Sequence, residues 1–233
     1  MATVAELIGI GLYTPAEAQR LLGVPSSKIS RWLRGHRIRE RDYPPLWTPQ
    51  VDTDDGRLCL GFRDLMELRV ADEFIRSGIS PQRVRAAIIL AREIIGQDRP
   101  LSTKRFRTDG RNIFLQVFET DEKGEERDSL IDLFRRQYAF REIMAPLLKP
   151  IDFDDQGAPA LWWPRGRQVG IVVDPQRAFG QPIDNDSCVP TAVLAAAARV
   201  EGATAAARLY GVRPSAVEAA VAFENTPAIQ LAA

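Results

Sequence analysis

The sequence predicts a mainly helical α+β protein in three parts, on three observations. The first hundred or so residues carry amphipathic stripes framed by helix starts and stops. The stretch from about 100 to 165 breaks into short alternating segments separated by T-D-G-R, T-D-E-K-G-E-E and D-D-Q-G. The remainder returns to alanine-rich helical runs. The expected units are residues 1–98, a winged helix-turn-helix with two following helices; 99–167, a small strand-rich segment; and 168–233, a three-helix unit with an apolar tail.

The elements follow in order. In T-P-A-E, Thr14 can cap, Pro15 fits the first helical position and Glu17 completes a capping box, so a helix is expected over 15–22, ended by Gly23. V-P-S-S leads into a second helix over 26–34. Ile29, Trp32 and Leu33 form its apolar stripe, and Ser27, Ser30, Arg31 and Arg34 fall on the opposite face. Further on, Asp55 and Gly56 stand between short apolar segments and signal a hairpin, read as a wing. The acidic trio Asp52, Asp54 and Asp55 reads as a polar turn tip rather than a metal site. Two helices are then expected, over 62–77 and from Ser80–Pro81 to about 95, the second with a stripe of Val84, Ile88, Ala91 and Ile95.

In the middle, Ile113 to Phe118 and Ala160 to Trp163 read as strands and 136–147 as a helix, with Trp162 and Trp163 anchoring a core or a seam. Toward the end, V-G-I-V-V-D-P is a strand and turn. Helices are expected over 190–200, from a Thr204 cap to Tyr210, and over 214–224.

Composition narrows the function classes. The 233 residues hold 31 basic and 31 acidic side chains and 45% hydrophobic residues, ordinary for a globular chain. No apolar run reaches membrane-spanning length and no secretory signal opens the chain, so a cytoplasmic protein is expected. Cys59, Cys188 and the single His36 do not make a four-ligand zinc site or a disulfide framework, and reduced, partly buried cysteines are expected. No convergent acid, base or nucleophile set is visible, so neither an enzyme nor a cofactor is expected. The zero net charge hides an asymmetry. Residues 1–112 carry 19 basic and 14 acidic groups, and residues 113–233 carry 12 and 17. Within 14–41, seven cations (Arg20, Lys28, Arg31, Arg34, Arg37, Arg39 and Arg41) face two acids, which suits a polyanion.

A short echo sharpens the contrast. A-Q-R-L-L-G-V-P-S-S-K-I from Ala18 is matched by A-A-R-L-Y-G-V-R-P-S-A-V from Ala206. The front second helix offers Lys28, Arg31 and Arg34. Its rear counterpart offers no cation but Ala216, Ala219, Ala220 and Ala222, which permit close helix approach and suit protein contact.

The segment from Tyr13 to about Ile95 resembles the MerR-like winged helix-turn-helix. The segment from Val169 to Glu224 resembles a small bacterial domain of antitoxins, VapB-like ones included, in Asp174–Pro175, Gly180 and Pro182, Val189–Pro190, Gly202, Tyr210, and Val217, Ala220 and Phe223. It departs from that pattern where Asn185 to Cys188 replace Gly-Thr-Arg. The resemblance implies an antitoxin that neutralises a cognate toxin of the PIN-like ribonuclease class and represses its own operon.

Double-stranded operator DNA and a cognate toxin are therefore the expected partners. Ser27, Lys28, Ser30, Arg31 and Arg34 are expected in the major groove, with Arg37, Arg39, Arg41 and Arg57 on the backbone. A homodimer would read two half-sites about 34 Å apart. Toxin or dimer contact is expected at Tyr210, Val217, Ala220, Phe223, Ile229 and Leu231. The competing reading is a ligand-sensing MerR-like transcription factor, supported by Trp47, Trp162 and Trp163.

Overall fold

Local signals at the front are realised as hydrogen bonds. Thr14 Oγ1 accepts the Glu17 N–H at 3.2 Å, and the Glu17 carboxylate accepts the Thr14 N–H at 2.7 Å, a reciprocal capping box. Helix α1 (Pro15–Leu22) starts there and ends at Gly23, whose left-handed φ of 73° lets its N–H reach the Gln19 carbonyl. Helix α2 (Ser26–Arg34) follows and buries Ile29, Trp32 and Leu33. The computed structural model describes residues 9–51, 56–120 and 137–226, with only the backbone at 41, 118–120 and 137–139.

After α2 comes an antiparallel hairpin that the sequence did not announce, β1 (His36–Ile38) with β2 (Arg41–Tyr43), pairing His36 with Tyr43 and Ile38 with Arg41. The expected turn at Asp55–Gly56 falls largely on residues 52–55, outside the described residues. An antiparallel bridge between Val51 and Cys59 flanks it. Helices α3 (Phe62–Arg76) and α4 (Pro81–Ile95) come next, and α4 buries Val84, Ile88, Ala91 and Ile95 as its stripe requires.

The strand expected at Ile113 to Phe118 is instead part of helix α5 (Phe106–Thr120). Phe106, Ile113, Phe114 and Val117 are buried at helical spacing. Gly110, which looked like a turn residue, sits mid-helix because a β-carbon there would lie 2.7 Å from the rings of both Phe106 and Phe140. Helix α6 (Gln137–Leu148) brings Phe140 against Phe74, with ring centroids 6.0 Å apart, and Phe74 lies 4.6 Å from Phe114.

A four-stranded antiparallel sheet follows in the order β3 (Ile151–Phe153), β4 (Pro159–Trp162), β5 (Ile171–Val173) and β6 (Pro182–Asp184). Strand β4 lies where the sequence placed it. Trp162 is buried in the main core and Trp163 in a smaller cluster with Val172 and Ile183. Three helices close the described chain: α7 (Thr191–Glu201), α8 (Ala203–Tyr210) and α9 (Pro214–Asn225). Gly202, not Thr204, holds the N-cap position of α8. Leu194, Ala206, Ala207, Val217 and Ala220 form the core of this trio. No described helix is long and apolar enough to cross a membrane.

The front and rear are fastened together. Phe223 of α9 joins the apolar cluster that contains Tyr13, Leu21 and Ile29. The Tyr13 hydroxyl donates to the Gly180 carbonyl at 2.7 Å, and Arg20 of α1 pairs with Glu224 of α9. Gly180 is required at this joint. Its φ is 80°, and a β-carbon would stand 2.3 Å from the Tyr13 hydroxyl.

Two buried carboxylates brace the middle. Asp64 accepts from Trp47 Nε1 at 3.0 Å, from the Gln50 and Gly61 N–H groups, and from Arg99 Nε at 2.5 Å. Glu67 accepts the N–H groups of Leu101 and Ser102, both at 3.0 Å, and its burial pushes its pKa up to about 7.

Candidate nucleic-acid interface

An exposed cationic face survives on α2 because its apolar stripe faces inward. With Ile29 fully buried and Trp32 and Leu33 close behind it, the helix can only turn the other side outward. Ser27, Arg31 and Arg34 are exposed and Ser30 is half-buried. The β1–β2 hairpin that follows adds further cations, with Arg37 and Arg39 exposed and Arg41 on β2 with its side chain outside the described residues.

The cations are not equivalent. Lys28, expected in the groove, is held within the protein: Nζ lies 2.9 Å from Asp72 Oδ1 and 4.6 Å above the Trp32 ring. Asp72 is buried on α3 and also takes Arg76 Nε at 2.7 Å. Arg34 Nη2 donates to the Gly56 carbonyl at 2.6 Å, which fastens the end of α2 to the segment carrying Arg57. Arg57 is exposed there. Arg37 and Asp42 face each other across the hairpin at 3.4 Å, both well exposed, and such a pair exchanges readily for a phosphate. Arg39 occupies the hairpin turn at φ 53°, where glycine or asparagine is the usual choice. Arg20 is engaged by Glu224 and does not belong to this face.

The rear contact residues need a correction. Val217, Ala220 and Phe223 are almost wholly buried, and their surface is taken up by the other rear helices and by the front core. Among those named, Tyr210 alone lies on the described surface, and Ile229 and Leu231 fall outside the described residues. Exposed apolar side chains missed by the sequence reading sit one helix earlier and beside Tyr210. Val193 and Val200 share a face of α7, Val200 is 80% exposed, and Leu209 on α8 is 69% exposed. The signal was available in the i, i+7 spacing of the two valines, which have no counterpart stripe to bury them.

The tryptophans offered for ligand sensing are committed elsewhere. Trp47 donates to Asp64, Trp163 donates to Asp152 at 2.7 Å, and Trp162 is buried beneath the Arg69 guanidinium. Cys59 is half-buried, and its burial raises the thiol pKa. Cys188, expected to be partly buried, is exposed and lies 3.4 Å from Arg177 Nη1. Arg177 also holds the Asn185 carbonyl and side chain and pairs with Asp174 Oδ2 at 2.5 Å, so it braces the Asn185 to Cys188 segment.

No family model matches the chain. It is 31% identical over 217 residues to the Mycobacterium tuberculosis (strain ATCC 25618 / H37Rv) protein named "Putative antitoxin VapB45", covering 88% of this chain and 90% of that one. A crystal structure of Rv2018 from Mycobacterium tuberculosis superposes with a TM-score of 0.72 at 28% identity, covering 92% of this chain and 99% of the other. The similarity runs through front, middle and rear alike, and the chain belongs to the family of VapB-like antitoxins.

Proposed function

We propose that this chain is the antitoxin of a type II toxin–antitoxin module. It neutralises a protein toxin of the PIN-like ribonuclease class and, as a homodimer, binds operator DNA to repress its own operon. In this reading residues 1–98 form a MerR-like DNA-binding unit, 99–167 a connecting body and 168–233 the toxin-facing unit. The observation that carries the DNA half is the outward face of α2, where Ser27, Arg31 and Arg34 are exposed while Ile29, Trp32 and Leu33 fix the helix from behind, followed by a hairpin that exposes Arg37 and Arg39. Arginine forks suit guanine edges and phosphates equally. Lys28 drops out of the contact set, since its ammonium is held by Asp72.

The toxin half rests on family membership together with the apolar side chains that α7 and α8 leave uncovered: Val193, Val200, Leu209 and Tyr210. Co-purification of the chain expressed from its native operon, followed by mass analysis, tests both halves. A nuclease travelling with it and an operator fragment retained at low salt are expected. A chain that purifies alone and retains no DNA refutes the reading.

A further inference from the structure

Beside α2 lies a second feature, which shares only Arg31 with the proposed DNA contacts. The hairpin leans toward the start of α4 and leaves a slot of about 340 Å³ between them. Trp32 and Leu46 form its buried floor, and Tyr43 forms a wall with His36 stacked against it at 4.8 Å and 8°. Ile38 and Ile89, both about half exposed, stand at the lip. Two guanidinium groups, Arg31 from α2 and Arg85 from α4, complete the lining, which contains no carboxylate. His36 Nδ1 is buried with no hydrogen-bond partner among the described residues.

We propose that this slot is a binding site for a small aromatic anion: a flat ring held between the aromatic floor and the isoleucine lip, with its carboxylate on Arg31 and Arg85. The volume falls in the range of small-molecule sites, and a mostly apolar lining with a few convergent polar groups is their usual make-up. Two cations without a carboxylate partner in the lining select an anion. The paired rings and the indole select an aromatic body over a flexible one.

The site has a regulatory consequence that rests on the DNA-binding reading above. Arg31 cannot hold a bound carboxylate and a DNA phosphate at once, so the ligand removes one phosphate contact. Near physiological salt that weakens DNA binding about fivefold.

The full chain titrated with 2-naphthoate, and separately with neutral 2-naphthamide, in an isothermal calorimeter without DNA tests the site. Saturable 1:1 binding of the carboxylate with a Kd of about 1 mM or tighter is expected, at least tenfold tighter than the amide. Arg85→Gln should weaken it at least tenfold, as should Ile89→Trp, which blocks the lip at an exposed position the fold tolerates. Absence of saturable heat, equal binding of amide and carboxylate, or indifference to Arg85→Gln overturns the site. So does sedimentation showing that Ile89→Trp turns a dimer into monomers, because a second copy then occupies this face. The DNA arm is read separately. With ligand binding established, operator affinity unmoved by 2-naphthoate overturns the regulatory consequence, and a wild-type chain that binds no DNA at any salt overturns the DNA reading while the site stands.

Discussion

Under the proposed function Lys28 and Arg31, one turn apart on the same helix, have opposite roles, which makes them the sharpest test of the DNA reading. Arg31 is exposed, so in a protein–DNA complex it is free to displace a phosphate counterion. Lys28 Nζ stays 2.9 Å from Asp72. Each neutralised phosphate contributes about 0.9 to the slope of log K against log salt. Arg31→Ala should therefore flatten that slope by about 0.9 and lower affinity about fivefold near physiological salt, with a stability change within roughly 0.5 kcal/mol. Lys28→Met keeps the aliphatic stem and should leave the slope unchanged. It should cost about 1 kcal/mol of stability, discounted because Lys28 is 27% exposed and Asp72 keeps Arg76. For a chain of this length that is a fall of about 3 °C in Tm. Fluorescence anisotropy on a labelled duplex from upstream of the gene, at salt from about 50 to 200 mM, reads the slope, and thermal unfolding reads the stability. A Lys28→Met slope that drops by as much as that of Arg31→Ala would refute the division of labour.

Three further outcomes are expected. Glu67 is protonated in the folded state up to about pH 7 but ionises at its ordinary 4.5 when unfolded, so the folded state binds the extra proton between those values and stability falls as pH rises through that window. Relative to Glu67→Gln, denaturant titrations should show the wild type losing about 3 kcal/mol from pH 4.5 to 7 and nothing further above, and a flat difference would mean that Glu67 is charged throughout. Arg39→Gly should relieve the positive φ at the hairpin turn and stabilise by up to about 1 kcal/mol, while flattening the DNA salt slope as the loss of one backbone contact requires. Leu209→Glu, at a site 69% exposed, should leave Tm nearly unchanged but abolish capture of the co-purifying toxin, which a pull-down would show.

What could be read from sequence was what nearest neighbours decide. The Thr14–Glu17 box, the Gly23 stop and the α4 stripe each act within a few residues, and each is present. Errors arose where a distant residue decides. Gly110 looks like a turn until the Phe106 and Phe140 rings are placed against it, and Phe140 is 30 residues away. Lys28 looks like a groove contact until Asp72 is brought beside it from 44 residues on. The β1–β2 hairpin turns at Arg39–Glu40, with none of the glycine, asparagine or proline that marks a turn, so its charge was legible and its shape was not. At the rear, Val217, Ala220 and Phe223 read from sequence as residues for toxin or dimer contact. A stripe does not say whether a partner or the chain itself covers it, and here it is the chain.

That internal cover bears on how the two proposed activities communicate. The Glu224 carboxylate at the end of α9 pairs with Arg20 of α1 through one oxygen and accepts the Thr191 hydroxyl at 2.5 Å through the other. One side chain thus joins the helix that supports α2 to the first residue of α7, the helix that carries Val193 and Val200. Phe223, one residue earlier, is packed into the front core. Under the proposed function, a toxin seated on α7 and α8 influences operator binding only if it binds two arrangements of this joint with different affinities, because equal binding to both shifts nothing. Linkage then makes the effect reciprocal: whatever factor the toxin applies to DNA affinity, DNA applies to toxin affinity. Arg20 is 46% exposed, so its ion pair contributes little by itself, whereas Phe223 and the Tyr13–Gly180 bond are buried. Coupling between the two partners, read as the change in operator affinity on adding toxin in fluorescence anisotropy, should therefore survive Arg20→Gln and weaken with Tyr13→Phe, which removes the buried hydroxyl bond and keeps the ring and the Phe223 packing.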